Sequence, residues 1–366
     1  AAFQDKRALA VKAVDGGQSS LAFEYAIIAT GSDATRIPQF ELDSDHLLDA
    51  TTALDLKEIP KKLLVIGGGY IGLELGTVYA ALGTKVTVVE MTPGLLPGAD
   101  RDLVKVLQKR LASRIAAILL QTTVKSLKVQ KNGIKAILEG PDVEQNARIF
   151  DKVLLAVGRR PNSAGLGLAN TSIEVDGRGF ITIDAQRRTA EKHIFAIGDV
   201  AGEPMLAHKA SHEGRVAAEA IAGRQVVYEP AAIPAVVFTD PEIAWVGLTE
   251  KEAADRSIAH KVVRFPWAAS GRAATLARDD GLTKLVIDPQ SERIIGMGIV
   301  GSGAGEMISE GVLAIEMGAN VTDIGLTIHP HPTLTETIME AADLFHGTAT
   351  HFYQSKRTSH GPAKHN

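Results

Sequence analysis

The sequence predicts an α/β protein, and three consecutive features carry that prediction. An apolar run, Leu63 to Ile66, enters a glycine turn at Gly67-Gly68-Gly69. A helical stretch follows, with apolar Ile71, Leu75, Val78 and Leu82, and stops at Gly83. A second apolar run, Val86 to Val89, closes on the acidic Glu90. Strand, turn, helix and strand in this order form a βαβ unit.

Each part of the unit has a mechanical reason. Gly67 permits the tight turn, Gly69 lets backbone approach a pyrophosphate, and Gly72 allows close helix–strand packing. The start of the helix, with Tyr70 and Ile71, presents backbone N–H groups and a positive dipole end to phosphates. Glu90 lies 18 residues beyond Gly72, where a carboxylate can accept hydrogen bonds from an adenosine ribose. The unit therefore reads as a dinucleotide site. Its bland alternative is a glycine-rich βα turn of another α/β enzyme.

Before this unit, Ala8 to Ala13 and Leu21 to Ala29 read as short β-segments around a Gly16-Gly17 turn, and Pro38 to Asp45 reads as a linker. After it, Asp102 to Ile115 is helical. Val124 to Val129 and Ile134 to Leu138 flank the hairpin signal Asn132-Gly133. Phe150 to Gly158 is a buried strand, Phe180 to Ile183 a β-segment, and Ile194 to Asp199 a strand ending in Gly-Asp. A helix is expected from Leu206 to Ala222, ended by Gly223. From about Ala232, strands at 235–238, 261–265, 284–287 and 294–300 alternate with helices at 305–317 and 334–344. Asp288-Pro289 makes the last two strands an antiparallel hairpin. The tail from about Gly347 is polar, and its scattered His351, His360 and His365 lack regular metal-ligand spacing.

Composition narrows the function. With 366 residues, 45% of them hydrophobic, the chain can bury two or three cores. A net charge of −4 gives no electrostatic footprint for nucleic acid, and no apolar run approaches the roughly 20 residues that span a bilayer. The absence of cysteine excludes disulfides, thiolate metal sites and thiol nucleophiles within these residues. The opening, AAFQDKRALAV, reads as the interior of a domain.

Beyond these local readings, motifs occur in a telling order: AIIATGS (26–32), LLVIGGGYIGLE (63–74), VVEM (88–91), LLAVGRRPN (154–162), IFAIGDV (194–200), MLAHKA (205–210), FPWAASGRA (265–273) and HPHPTLTE (329–336). Together they resemble the dihydrolipoamide dehydrogenases, bacterial type, of the class I pyridine nucleotide-disulfide oxidoreductase family. The resemblance implies a Rossmann-like NAD domain inserted in a partial FAD domain, followed by an α+β dimerisation domain. On that pattern residues 1–45 and 161–230 belong to the FAD domain, 46–160 bind NAD, 231–350 form the dimer interface and 351–366 are tail. The family passes electrons from dihydrolipoamide to a redox disulfide, then to FAD, then to NAD. One departure is large: the family's first GxGxxG and its paired cysteines are not in this chain. The expectation is a fragment, or residues before Ala1 not included, and a chain that alone cannot exchange disulfides and holds little FAD.

The resemblance assigns roles that elementary chemistry makes sensible. The histidine before Pro-Thr, His331, takes a proton from the dithiol, and Glu336 orients its imidazole. An unperturbed pKa of about 6.5 suits a histidine to that task. Residue chemistry alone favours reading Thr333-Leu334-Thr335-Glu336 as a capping box, in which Glu336 satisfies a backbone N–H at a helix start; the resemblance reverses that preference. His329 lies off the matching position and is read as structural.

Asp199 resembles a ligand of the FAD ribityl chain; otherwise it is a helix N-cap. Met205, Leu206, Ala207 and His208 resemble the segment whose N–H groups face the flavin, and Thr30, Gly31 and Ser32 resemble a further FAD contact. Glu90 favours a free ribose diol, hence NAD over NADP. Glu74 resembles the residue near the nicotinamide, Ala156, Val157, Gly158 and Arg159 resemble the loop at that end, and Val124 is placed along the same cofactor. Expected partners are a second copy of the chain, dihydrolipoamide and the lipoyl domains of 2-oxoacid dehydrogenase complexes, in bacterial cytoplasm. Neither nucleic acid nor a membrane is expected as a partner. Two rival readings stand beside this one: a related NAD(P)-flavin disulfide reductase, and a non-catalytic nucleotide-binding or dimerising module.

Overall fold

A computed structural model describes residues 1–353. Among these, the helices are α1 (Tyr70–Ala81), α2 (Arg101–Leu111), α3 (Ala207–Ile221), α4 (Glu250–Asp255), α5 (Gly271–Thr275), α6 (Ala304–Met317), α7 (Val321–Leu326) and α8 (Glu336–His346). The described residues divide into two compact units, residues 1–72 with 122–230 and residues 73–121 with 231–353.

The first unit contains parallel strands in the order Leu47–Leu48, Lys152–Leu155, Lys62–Ile66. Leu63, Leu64, Val65, Val153 and Leu154 have no exposure, as befits strands covered on both faces. Two antiparallel sheets accompany them. One pairs Ala2–Asp5, Ala8–Lys12 and Gln18–Ala22; the other pairs Thr123–Gln130, Gly133–Glu139 and Ala147–Phe150. Asn132-Gly133 does make the hairpin, with Gly133 at φ +136°, where a side chain would strike the Phe150 carbonyl. Ala26–Ile28 runs parallel to Ile194–Ala196 over a core of Phe3, Ile28, Ile173, Ile181, Ile194 and Val200.

The second unit contains the parallel pair Lys85–Val89 and Ala117–Leu119. It also contains an antiparallel sheet in the order Ala235–Val237, Glu242–Gly247, Ile294–Gly301, Leu282–Ile287, Lys261–Pro266. α6 and α8 pack on this sheet, burying Trp267, Phe265, Leu285, Met297, Ile308 and Ile338. The predicted Asp288-Pro289 hairpin is present between 282–287 and 294–301. The whole is the α/β class expected from sequence, with a parallel Rossmann-like region and a separate antiparallel-sheet domain.

Several local expectations are corrected. Phe180 to Ile183 is not a strand; it makes one isolated bridge, Val175 with Ile181. Its N–H groups go instead to the Asp176 carboxylate, Val200 and Glu174, so no ladder can extend. The segment 21–29 divides into two strands because Phe23 N–H turns to the Arg7 carbonyl. Phe150 and Lys152–Leu155 belong to different sheets, so 150–158 is not one strand. The helix from 102 ends at Leu111, not Ile115. α1 forms where expected, yet its buried residues are Gly72, Leu73, Gly76 and Tyr79, while Val78 and Leu82 are exposed. Glycines on that face let it lie close to its neighbours, and close approach outweighs apolar bulk there. The polar tail is also different where it is described. His351 is bonded to Glu340, and Phe352 meets Phe265 edge-on; His360 and His365 lie outside the described residues.

Candidate active site

The glycine turn behaves as its spacing requires. Gly67 has φ +110°, and a Cβ there would lie 2.3 Å from the Ala156 carbonyl oxygen. A Cβ on Gly72 would lie 2.2 Å from the Gly67 carbonyl oxygen. Gly69 differs, because a Cβ there would meet nothing within 4 Å. The turn is therefore closed on the protein side and open at Gly69, the geometry a diphosphate needs. Ala156 N–H donates to Ile66, joining the predicted 156–159 loop to the strand that feeds the turn. Val124, by contrast, is a buried residue of its antiparallel strand.

In the same unit the structure brings together Ser32, Arg159 and Asp199. Ser32 Oγ donates to Asp199 Oδ2 at 2.5 Å, and Arg159 Nε donates to Ser32 Oγ at 2.7 Å. Arg159 Nη2 also donates to the Ser32 carbonyl, and its Nε stands 3.9 Å from Asp199. The short pairing of Ser32–Ala34 with Arg159–Pro161 makes this meeting possible. Thr30 and Gly31 are fixed by Asn162, whose N–H donates to Gly31 and whose carbonyl accepts from Thr30 Oγ1.

Asp199 stands in the turn Gly198–Ala201, and a buried ion network supports that turn. Glu213, with no exposure, accepts from Gly198 N–H at 2.6 Å, from Arg187 at 3.0 Å and from Lys209 at 3.1 Å. Sequence reading missed these residues. The available signal was Lys209 and Glu213 four apart on one helix face. α3 itself opens at Ala207, with Leu206 as N-cap and no side-chain cap hydrogen bond from it.

In the second unit, Glu90 is 8% exposed, and its Oε1 accepts from Thr92 N–H at 2.7 Å. Glu74 accepts from Phe238 N–H at 2.8 Å, and burial pushes its carboxyl above the usual range despite that bond.

The histidine pair is also in this unit. His331 Nδ1 lies 2.8 Å from Glu336 Oε1, and Thr333 N–H donates to Glu336 Oε2 at 2.7 Å. The capping-box reading is only half met: α8 starts at Glu336 with Thr335 as N-cap, so the bond from the Thr333 N–H falls in the segment before the helix. The reciprocal half of the capping box is replaced, since Thr333 Oγ1 donates to Pro330. Burial alone would raise the Glu336 carboxyl, but the Thr333 N–H and His331 outweigh it and hold it below the usual range. His331 is 73% exposed, whereas His329 is 4% exposed, its Nε2 2.9 Å from Glu310 and its Nδ1 2.8 Å from the Thr327 carbonyl. His329 is therefore engaged within the fold. Among the described residues no cluster could hold a metal ion, and no helix is long and apolar enough to cross a membrane.

With this geometry in view, comparison with known proteins is decisive. Residues 1–214 match the family model of pyridine nucleotide-disulphide oxidoreductases, and residues 233–342 match the dimerisation domain of the same family. The chain belongs to the pyridine nucleotide-disulphide oxidoreductases. Within that family it is 48% identical to a dihydrolipoyl dehydrogenase of Vibrio cholerae over 94% of this chain and 72% of the relative. A dihydrolipoyl dehydrogenase of Haemophilus influenzae is 46% identical over 97% of this chain and 74% of its own length. Among solved structures, LpdA from Mycobacterium tuberculosis superposes with a TM-score of 0.84 at 28% identity, over 92% of this chain and 72% of that one. The HOCl-induced flavoprotein disulfide reductase RclA from Escherichia coli gives 0.85 at 27% identity, over 94% of this chain and 78% of that one. The family and the fold class inferred from the motifs agree with these findings.

Proposed function

We propose that this family member serves dihydrolipoamide oxidation, with His331 as general base and NAD as the final acceptor. The observation that carries the reading is the His331–Glu336 pair. With Nδ1 directed to a carboxylate, Nε2 is the nitrogen that can accept a proton from a dithiol, and Glu336 stabilises the resulting imidazolium. A charged Glu336 is the form its surroundings favour.

The family uses FAD and NAD, and the residues present fit both. Gly67, Gly68, Gly69, Tyr70, Ile71 and Gly72 would hold the NAD diphosphate at the open side of the turn, and Glu90 the adenosine ribose. Glu74 and the 156–159 loop would serve the nicotinamide end, with Val124 contributing only apolar support. Asp199, Ser32, Thr30, Gly31 and the α3 N-terminus would serve FAD, which supplies two-electron transfer when bound. The buried Glu213 network keeps the Asp199 turn rigid, so binding need not order it. Thiol–disulfide exchange itself requires cysteine thiols, which these 366 residues do not contain.

The dimerisation domain supports a homodimer, in which His331 would serve the partner's disulfide. The lipoyl domains of 2-oxoacid dehydrogenase complexes are the proposed source of substrate, and bacterial cytoplasm the proposed location. The test is NAD reduction by dihydrolipoamide in an assembled enzyme carrying the redox cysteines together with these residues. Turnover lost on His331→Gln supports the assignment; unchanged turnover overturns it. NADH titration of the 366-residue chain tests the nucleotide half separately, and absence of binding would sink it.

A further inference from the structure

The start of α8, which carries Glu336, is tied to the core by a chain of buried hydrogen bonds. Trp267 Nε1 donates to Thr283 Oγ1 at 2.9 Å, and Thr283 Oγ1 lies 2.8 Å from Thr337 Oγ1. Thr337 Oγ1 in turn donates to the Leu334 carbonyl at 2.7 Å, beside the Thr337 N–H at 3.0 Å. An indole N–H only donates, and a hydroxyl has one proton to give. Leu334 takes the Thr337 proton, so Thr283 donates to Thr337 and the chain runs one way. Trp267 and Thr283 have no exposure, and Thr337 has 1%. The indole packs on the backbone of Gly281 and Gly301, where a Cβ at either would lie 2.3 Å from the ring.

We propose that Thr283 and Thr337 are positioning residues for the His331–Glu336 pair: the one-way chain from Trp267 fixes the backbone at Leu334, and with it the seat of Glu336, keeping Oε1 on His331 Nδ1. The role rests on the reading of His331 as base. Valine would fill either threonine's volume, and burying a hydroxyl costs free energy unless it is paired. A fully paired buried network instead selects one arrangement of the elements it joins. The elements joined here are the strand Leu282–Ile287 and the start of α8. Thr335, the N-cap of α8, makes no side-chain cap bond, so this helix start is held from the core. Thr333 N–H, one residue before Leu334, donates to the other oxygen of Glu336, so the same backbone governs both carboxylate bonds. The pair itself faces water through the exposed His331, and solvent competes for its bond. Misplacing such a group by about 1 Å can cost ~10²-fold in rate.

The experiment labels the histidine rings of the full 366-residue chain with ¹⁵N and reads the His331 tautomer by NMR at about pH 9, above the ordinary histidine pKa of about 6.5. A carboxylate on Nδ1 holds the ring proton there, whereas a free imidazole prefers Nε2–H. The parent is expected as Nδ1–H, and an Nε2–H parent would overturn the proposal. Thr283→Val and Thr337→Val break the chain and shift His331 toward Nε2–H. Thr283→Ser keeps the hydroxyl and with it the parent's Nδ1–H pattern. Lost stability alone leaves the tautomer of the folded molecules unchanged, so a folded Thr283→Val with the parent's tautomer overturns the proposal. A Thr337 hydroxyl proton exchanging with water as fast as an exposed one also overturns it, and that measurement needs no variant to fold. Should His331→Gln leave turnover intact, the base assignment fails while the tautomer still reports this linkage.

Discussion

Gly69 and Gly72 are three residues apart in one turn, yet only Gly72 is enclosed by protein: a Cβ there would sit 2.2 Å from the Gly67 carbonyl oxygen, and one at Gly69 would touch nothing within 4 Å. Folding and ligand binding therefore make separate demands on the two positions.

Gly72→Ala forces backbone apart and should cost about 1–3 kcal/mol, the usual range for overpacking. Gly69→Ala should keep the parent's thermal midpoint and lose NADH affinity. Thermal melts and NADH fluorescence titration of both variants check the contrast. Equal melting losses in the two would contradict it.

Glu90→Ala should weaken NADH binding about tenfold, or ~1.4 kcal/mol, the scale of a charge-assisted hydrogen bond. Glu90→Arg should narrow the preference for NADH over NADPH, since the carboxylate that repels a ribose phosphate is gone. Isothermal titration with both nucleotides reads the ratio, which must fall.

His331→Gln in the assembled enzyme should reduce dihydrolipoamide-dependent NAD reduction by about 10²–10⁴-fold, the range for a lost general base. Melting temperature should change little, because the side chain is mostly exposed. Steady-state kinetics beside a melt separates the two effects.

Lys284 is 1% exposed and faces three carboxylates: Glu250 at 2.6 Å, Asp100 at 2.9 Å and Asp102 at 3.0 Å. Arg264 bonds both Asp102 and Glu250. Lys284→Met would take the ammonium from Asp100 and leave Asp102 and Glu250 with Arg264 alone; it should cost roughly 3 kcal/mol, the lower end for a broken buried pair because Asp102 and Glu250 keep Arg264 and some solvent. Urea unfolding measures it, and a loss below 1 kcal/mol would refute the account.

The same network gives a pH dependence of definite sign. Burial alone would lower the Lys284 pKa, but its three acids outweigh burial and raise it above the ordinary 10.5. That contribution is complete below pH 10.5 and disappears as pH climbs through the folded value. Burial alone would raise Asp102, but Arg264 and Lys284 hold it below 3.8. Its share is present above that pH and is lost as acid reaches the folded value. Urea midpoints should thus fall at both extremes, and Lys284→Met should flatten the alkaline limb.

What sequence disclosed and what it concealed follow from chain separation. The turn at Gly67 and the hairpin at Asn132-Gly133 are local, so residue type and spacing sufficed. Arg159 reaches Ser32 across 127 positions, and Ser32 reaches Asp199 across 167. No periodicity encodes those meetings; the motif resemblance placed Ser32 and Asp199 on FAD but Arg159 at the nicotinamide end of NAD. Glu336 shows a different limit, because the cap and the imidazole bond leave the same sequence trace. Lys284 interrupts the apolar run LTKLVI, a visible anomaly, but its partners come from α2, α4 and a neighbouring strand.

The shared ammonium of Lys284 also constrains how this protein can diverge. Asp100, Asp102 and Glu250 balance against it, and Arg264 is a second cation on two of them, so a neutral change at any one alters what the others can tolerate. Substitutions there should be accepted in concert or not at all, and a graft of this segment into a relative would succeed only if the whole quintet travels together.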